Sequence, residues 1–254
     1  MRSALISSGC YTMSGHSKWA NIKRKKEKTD AVKGRSFTKI GREIAVAIKE
    51  GGPDPDSNSR LRDAIAKARA NNMPNDTITR SIKKASGELG SINYEDVQYE
   101  GYGIGGVAVI VSTLTDNRNR TAGDVRHLFD KFGGNLGATG CVSYMFDRKG
   151  IIEIEFEDVE DIDEDEITMF ALDCGAEDIN IDETLVTVYT SVDDFSGVSK
   201  AFADTGKYNI ISAELGMVPQ NTIELDEAKT ETFMKMIDNL EDNDDVQDVW
   251  HNLA

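Results

Sequence analysis

The sequence predicts an α+β chain of three domains: an N-terminal helical bundle and two α+β domains, the third ferredoxin-like and inserted in the second. Three observations predict this. Apolar residues recur at spacings of three and four through residues 29–87. From residue 94 the period shifts to strand-like alternation. Counted from Gly150, the elements run β-α-β-β-α-β, the split βαβ pattern, before one more strand–helix–strand set closes the chain. The implied boundaries are 1–12 for an extension, 13–92 for a basic helical domain, 93–147 with 219–254 for a discontinuous α+β domain, and 148–218 for the insert. An insertion of this kind joins its host through two connections at a hairpin base, a well-tolerated place.

The helical part has three segments. "GRSFTKIGREIAVAIKEGG" aligns Phe37, Ile40, Ile44 and Ile48 in one stripe, stopped by Gly51-Gly52-Pro53. "SRLRDAIAKARANN" repeats the design with Leu61, Ile65 and Ala68, and Ser59 is its expected N-cap. "NDTITRSIKKASG" supplies Ile78, Ile82 and Ala85, with Asn75 or Asp76 as cap. Lys39, Arg42, Lys49, Arg62, Lys67, Arg69, Arg80, Lys83 and Lys84 fall off these stripes, so the bundle is expected to have a basic exterior. Beyond it, "DVQYEGYG" and "GVAVIVSTLTD" read as strands joined by a glycine turn, and "NRTAGDVRHLFDKFGG" as a helix carrying Val125, Leu128, Phe129 and Phe132. "CVSYMFDRKGIIEIEFED" reads as a hairpin turning at Asp147–Gly150. Two helix–strand alternations follow, and the tail reads as strand "NTIELD", helix "EAKTETFMKMIDNLED" and strand "DVQDVWHNL".

No apolar run approaches the ~18 residues of a membrane span. The opening "MRSALISSGCYT" is too short in its apolar part for a secretory signal, and Met13 is the expected start of the working protein. Cysteines at 10, 141 and 174 are odd in number and widely spaced, which suits a reducing cytoplasm. Histidines at 16, 127 and 251 complete no metal-ligand spacing with the cysteines, so no metal is expected.

The net charge of −16 describes neither half of the chain. Residues 13–87 hold 18 Lys and Arg against 8 Asp and Glu, a net of +10, whereas residues 88–254 sum to −27. Such asymmetry suits one part built for a polyanion and another held away from it. The densest basic stretch is the arm "MSGHSKWANIKRKKEK", where Lys18, Lys23, Arg24, Lys25, Lys26 and Lys28 surround Trp19. Cations of this density displace counterions from a phosphate backbone, and an indole can stack on an unpaired base. With Arg35, Lys39, Arg42, Arg62, Arg69 and Arg80 behind it, the arm forms the candidate nucleic-acid-binding set.

Other motifs carry less. "GYGIGG" satisfies G-x-G-x-x-G at Gly101, Gly103 and Gly106, but a β-branched strand follows where a dinucleotide site needs a helix, so it reads as a hairpin turn. "DVEDIDEDE" lacks EF-hand spacing and reads as a solvated lead-in to a helix; the acids of "NDD" near the C-terminus are read the same way. "TDNRNRTAGDVRH" places Arg118 and Arg120 at a helix start, where they could contact phosphate or carboxylate, or stand solvated beside a cap from Asn119 or Thr121. No nucleophile can be paired with a base, and no enzyme is expected.

Five stretches then closely resemble the YebC/PmpR family: "GHSKWANIK" (15–23), "LRDAIAKARANNMP" (61–74), "YEGYGIGGVAVIV" (99–111), "TDNRNRTAGDVRH" (115–127) and "GGNLGATGCVSYMFDRKG" (133–150). Arg24 stands where that family commonly has histidine, and Ser14 where it has alanine. The resemblance implies three domains around a groove and a cytoplasmic protein without a cofactor, usually described as a DNA-binding transcriptional regulator. It equally implies kinship with mitochondrial translational activators that work with the ribosome. DNA and ribosomal RNA both remain open as partners, as does the oligomeric state.

Overall fold

A computed structural model describes residues 30–87, 93–159 and 162–254. The extension assigned to residues 1–12 and the arm of residues 13–28 lie outside the described residues. Two compact units emerge, one holding the described residues up to Phe146 together with Leu225–Leu253, the other Asp147–Glu224 and Ala254. The helical region and the first α+β domain thus share one unit.

In that first unit, α1 (Asp30–Gly51), α2 (Ser59–Ala70) and α3 (Asn75–Ser86) pack their apolar stripes together. Ile40, Ile44, Ala47, Ile48, Leu61, Ile65, Ala68 and Ile78 are buried, with Phe37, Ile82 and Ala85 against them. The cap of α2 is Asn58 rather than Ser59. Its Oδ1 accepts the Leu61 N–H (3.0 Å), while its Nδ2 donates to the carbonyls of Ala47 (2.7 Å) and Gly52 (2.8 Å). A serine hydroxyl could not span both helices; the asparagine amide locks the end of α1 to the start of α2. Asn58→Ala is expected to cost about 2 kcal/mol in urea unfolding, a lost cap plus two carbonyls deprived of their donor. Nor does Asn75 or Asp76 cap α3. Pro74, at φ −59° and ψ 139°, holds the cap position, and its carbonyl accepts from Thr77 and Ile78. Asp76 instead sits in the first turn, where the helix dipole favours it.

The first sheet has the order β3-β1-β2-β8 and is antiparallel throughout: β1 (Glu95–Tyr102), β2 (Ala108–Thr115), β3 (Asn135–Leu136) and β8 (Val246–His251). Helices α4 (Arg118–Lys131) and α7 (Glu227–Glu241) supply buried Val125, Phe129, Phe233, Met236 and Leu240. The glycines of "GYGIGG" serve this packing. A Cβ on Gly101 would lie 2.8 Å from the Phe129 ring, and one on Gly103 2.6 Å from the Phe233 ring. The segment is the β1–β2 turn, closed by the Gly103 N–H donating to the Val107 carbonyl (2.7 Å).

The second unit runs β4 (Phe146–Glu155), α5 (Glu164–Asp173), β5 (Asp178–Asp182), β6 (Leu185–Thr190), α6 (Phe195–Thr205) and β7 (Asn209–Pro219), with sheet order β5-β6-β4-β7. Cross-strand pairs alternate faces: Ile152↔Val188 and Ile154↔Val186 join α5 and α6 in the core, while Ile151↔Tyr189 and Glu153↔Thr187 lie on the other side. Burial beside the charges of Glu153 and Asp178 pushes the Tyr189 phenol up to about 12. The hairpin expected at Asp147–Gly150 does not form; β4 runs through it unbroken. Gly150 is a strand glycine, where a side chain would collide with Thr190 and Phe195. The "NTIELD" strand shrinks to one bridge, in which the Ala254 N–H donates to the Ile223 carbonyl (2.8 Å). The acidic lead-in behaves as expected at its helix: Asp163 caps α5 by accepting from the Glu166 N–H.

Candidate nucleic-acid interface

The basic side chains of the described helices divide into two groups. Arg62 and Arg69, seven residues apart on α2, and Arg80 on α3 are exposed and make no ion pair among the described residues. Lys83 and Lys84 follow Arg80 by three and four residues, so all three share one face of α3. Four residues, Asn71–Pro74, connect these two helices.

Lys39 and Arg42 belong to the second group. The Lys39 ammonium donates to the Glu241 carbonyl at the end of α7 (2.7 Å). The Arg42 guanidinium donates to the Leu114 carbonyl (2.9 Å), pairs with Asp245 and lies over the Tyr94 ring at 5.3 Å. Its side chain is 15% exposed. An outward position was expected for both from the helical stripe, which registers only the contacts inside the bundle. The first α+β domain supplies a second apolar and polar surface, and these two residues face it. Lys18, Trp19, Lys23, Arg24, Lys25, Lys26 and Lys28 lie outside the described residues, as does the Arg35 side chain.

Asp245 is the residue that sequence reasoning missed. The acids of "NDD" were expected to be solvated, yet the Asp245 side chain is 5% exposed. One carboxylate oxygen takes Arg42; the other accepts from Arg120 Nη2 (2.7 Å), Thr121 Oγ1 (2.6 Å) and Thr115 Oγ1 (3.2 Å). The backbone anchors it too, because its carbonyl accepts from the Leu114 N–H (2.8 Å). Burial alone would raise its pKa, but the bonds from Thr121, Arg120 and Arg42 overcome that and hold it down at about 2. Arg120 is pushed up in turn, first by Asp245 and then by Asp116, to which it donates at 2.8 Å.

Arg118 and Arg120 therefore differ in role. Asn117 caps α4 by accepting the Arg120 N–H (3.1 Å), in place of the expected Asn119 or Thr121. Arg120 is committed to two carboxylates. Arg118, on the exposed first turn, makes no ion pair among the described residues. The node thus fixes the start of α4 against α1 and leaves Arg118 presented.

A second buried acid also escaped notice. Glu100 on β1, 2% exposed, accepts the N–H groups of Gly140 (2.9 Å), Val142 (3.0 Å) and Ser143 (2.9 Å). Burial would raise its pKa; these backbone donors, with Gln98, lower it below the ordinary carboxylate range. Alternation along β1 gave no signal for it, because Glu100 lies on the opposite parity from buried Val97 and Gly101.

Cys141 and Cys174 are free thiols, each with a pKa raised first by burial. Among the described residues no cluster of His, Cys, Asp and Glu could hold a metal, and no helix is long and apolar enough to cross a membrane.

Known proteins match along almost the whole chain. The family profile described as "TACO1/YebC protein N-terminal domain" matches residues 17–88, and that of the "TACO1/YebC second and third domain" matches residues 94–253. A "Probable transcriptional regulatory protein" of Acetivibrio thermocellus is 62% identical over 241 residues, 94% of this chain and 98% of that protein. One of Clostridium botulinum with the same description is 59% identical over 241 residues, 94% and 96% of the two chains. The crystal structure of a conserved hypothetical protein from Aquifex aeolicus superposes with a TM-score of 0.82 at 45% identity, covering 93% of this chain and 96% of that one. With both of its profiles matched in order, and relatives aligned almost end to end, the chain belongs to the TACO1/YebC family.

Proposed function

We propose that the protein is a nucleic-acid-binding regulator of gene expression, with DNA-bound transcriptional regulation as the first reading. The observation that carries it is the exposed cation set of α2 and α3, Arg62, Arg69, Arg80, Lys83 and Lys84, which make no ion pair among the described residues and follow the Lys18–Lys28 arm in a sequence region of net +10. Two twelve-residue helices joined by the four-residue Asn71–Pro74 connection carry this set, with no recognition helix evident in the sequence. The relatives' description as transcriptional regulatory proteins supports the same reading. Arg118 is a further exposed cation, at the start of α4, while Arg120 is held by Asp116 and Asp245. Trp19 among the arm's lysines favours a second reading, a ribosome-associated translation factor that stacks on unpaired bases of ribosomal RNA.

In this reading residues 13–92 form the binding domain and residues 93–147 with 219–254 its host. Residues 148–218 form an inserted module, whose strand order β5-β6-β4-β7 supports a ferredoxin-like description. The protein acts in the cytoplasm without a cofactor.

Replacing Lys23, Arg24, Lys25 and Lys26 by alanine is expected to weaken binding at every sequence and to reduce the log–log salt slope on duplex DNA by about 0.9 per lost phosphate contact. An unchanged slope would show that the arm does not touch phosphate. Ultraviolet crosslinking in cells, with sequencing of attached DNA and RNA, separates the polymers. Discrete promoters support the first reading, and a few positions on ribosomal RNA the second.

A further inference from the structure

We propose that the outer face of α5 in the second unit is a docking surface for a basic, amphipathic polypeptide segment of a partner protein, which places one lysine or arginine head group in the cavity beside it. The inference stands apart from the nucleic-acid reading, because it concerns a surface that a polyanion would avoid. Residues 147–224 carry 21 Asp and Glu against 4 Lys and Arg, a net of −17. Charge of that sign repels phosphate and attracts a cationic chain.

Acidity alone would select nothing. Two further features give the surface a shape. Met169 and Leu172, three residues apart on α5, are 65% and 52% exposed, two of the few large apolar side chains left open among the described residues. Met169 follows Glu166 by one turn and precedes Asp173 by one, so it stands in line with two carboxylates, and Leu172 adjoins it one turn on. Next to Glu166 opens a cavity of about 90 Å³, lined by Phe156, Asp163, Glu166, Ile167, Lys207 and Tyr208. Two of its lining rings, Phe156 and Tyr208, stand 6.4 Å apart and edge-on, and Asp163 and Glu166 contribute its carboxylates.

The chain itself displays the chemistry this cavity accepts. The Lys207 ammonium donates to Glu166 Oε1 (2.7 Å) and lies 5.6 Å from the centre of the Tyr208 ring. A cation held by a carboxylate over an aromatic face is the arrangement that an incoming lysine or arginine would reproduce. Both partners of the internal pair are 54% exposed, so water already competes for it and Lys207 can swing aside. A segment carrying an apolar residue one turn from a cation would cover Met169 and Leu172 while its cation displaces Lys207.

The test uses the full chain and three synthetic peptides of equal positive charge. One is a lysine–leucine helix with a single apolar face, the second the same residues scrambled, the third lysine–serine. Fluorescence anisotropy at physiological salt is expected to rank the amphipathic peptide first by about tenfold. The double variant Met169→Ser, Leu172→Ser should erase that preference, and Lys207→Ala should tighten binding several-fold by clearing the cavity. Equal affinity for the three peptides, or an unchanged preference in the double variant, would mean diffuse attraction and overturn the proposal. Weaker binding by Lys207→Ala would overturn the cavity's role. Sedimentation showing a dimer that the double variant abolishes would make a second copy the occupant, and loss of single-stranded RNA binding in that variant would make it RNA; either result also overturns the proposal. A failed salt-slope experiment on the arm leaves all of these outcomes readable.

Discussion

Asp245→Ala should lower the unfolding free energy by about 3–5 kcal/mol, the range for removing one member of a buried ion pair. Arg42 would keep its charge in a nearly closed site, and the Thr115 and Thr121 hydroxyls would lose their acceptor. Arg120, roughly half exposed, would be rehydrated at little cost. Asp245→Asn retains the shape and loses the charge, so about 2 kcal/mol is expected. The pH dependence has a definite sign. The folded carboxyl titrates at about 2, below its ordinary 3.8, so its contribution is complete above pH 5 and disappears as pH falls through 2. Urea unfolding at pH 7, 5 and 3 should show the gap between the native chain and Asp245→Asn narrowing with acid. A constant gap would mean that the ionised carboxylate is not what holds the node.

Glu100→Ala comes next in size, at about 3 kcal/mol, because three backbone donors lose one shared acceptor. Its effect should be local. Hydrogen exchange of the Gly140, Val142 and Ser143 amides should accelerate at least tenfold, while amides in the α1–α3 core keep their protection. Because the Glu100 carboxyl is depressed in the folded state, its contribution holds at neutral pH and is lost as pH falls through that lowered value. Unchanged exchange at Val142 would mean that the 137–143 loop is held by other contacts.

These two acids also mark where the sequence stops being legible. The helices could be read because each stripe reports a local period: Ile40, Ile44 and Ile48 need only one another to declare a face. The second unit could be read for the same reason, its elements being short, periodic and consecutive. Asp245 and Glu100 follow no period. Apart from Gln98, the side-chain and backbone donors to these carboxylates lie 40 to 203 positions away, which no local window contains. Lys39 and Arg42 were misplaced by the same blindness, since a stripe that marks one packed face says nothing of a second. The caps failed on a finer scale. Asn58 and Ser59 are both good caps, and the choice fell to Asn58 because only an amide reaches Ala47 and Gly52 while accepting from Leu61. At Asp147–Gly150 a turn-like composition hid a strand, because Gly150 is there to admit Phe195.

The Arg42–Asp245 pair has a consequence in time. Its members are separated by 203 positions, so the partner of a residue in the first helix is among the last to be synthesised. At about 5–20 residues per second a ribosome needs roughly 10–40 s to travel from one to the other. During that interval α1 to α3 can close their own core, and Tyr94 and Leu114 become available to Arg42, but the carboxylate that pairs with it is still missing. The nascent helical region is therefore more basic in effect than the finished one, and its contact with the first sheet is completed only when Asp245 arrives. Chains interrupted before residue 245 should hold nucleic acid through the Arg42 cation, which the completed protein keeps for Asp245.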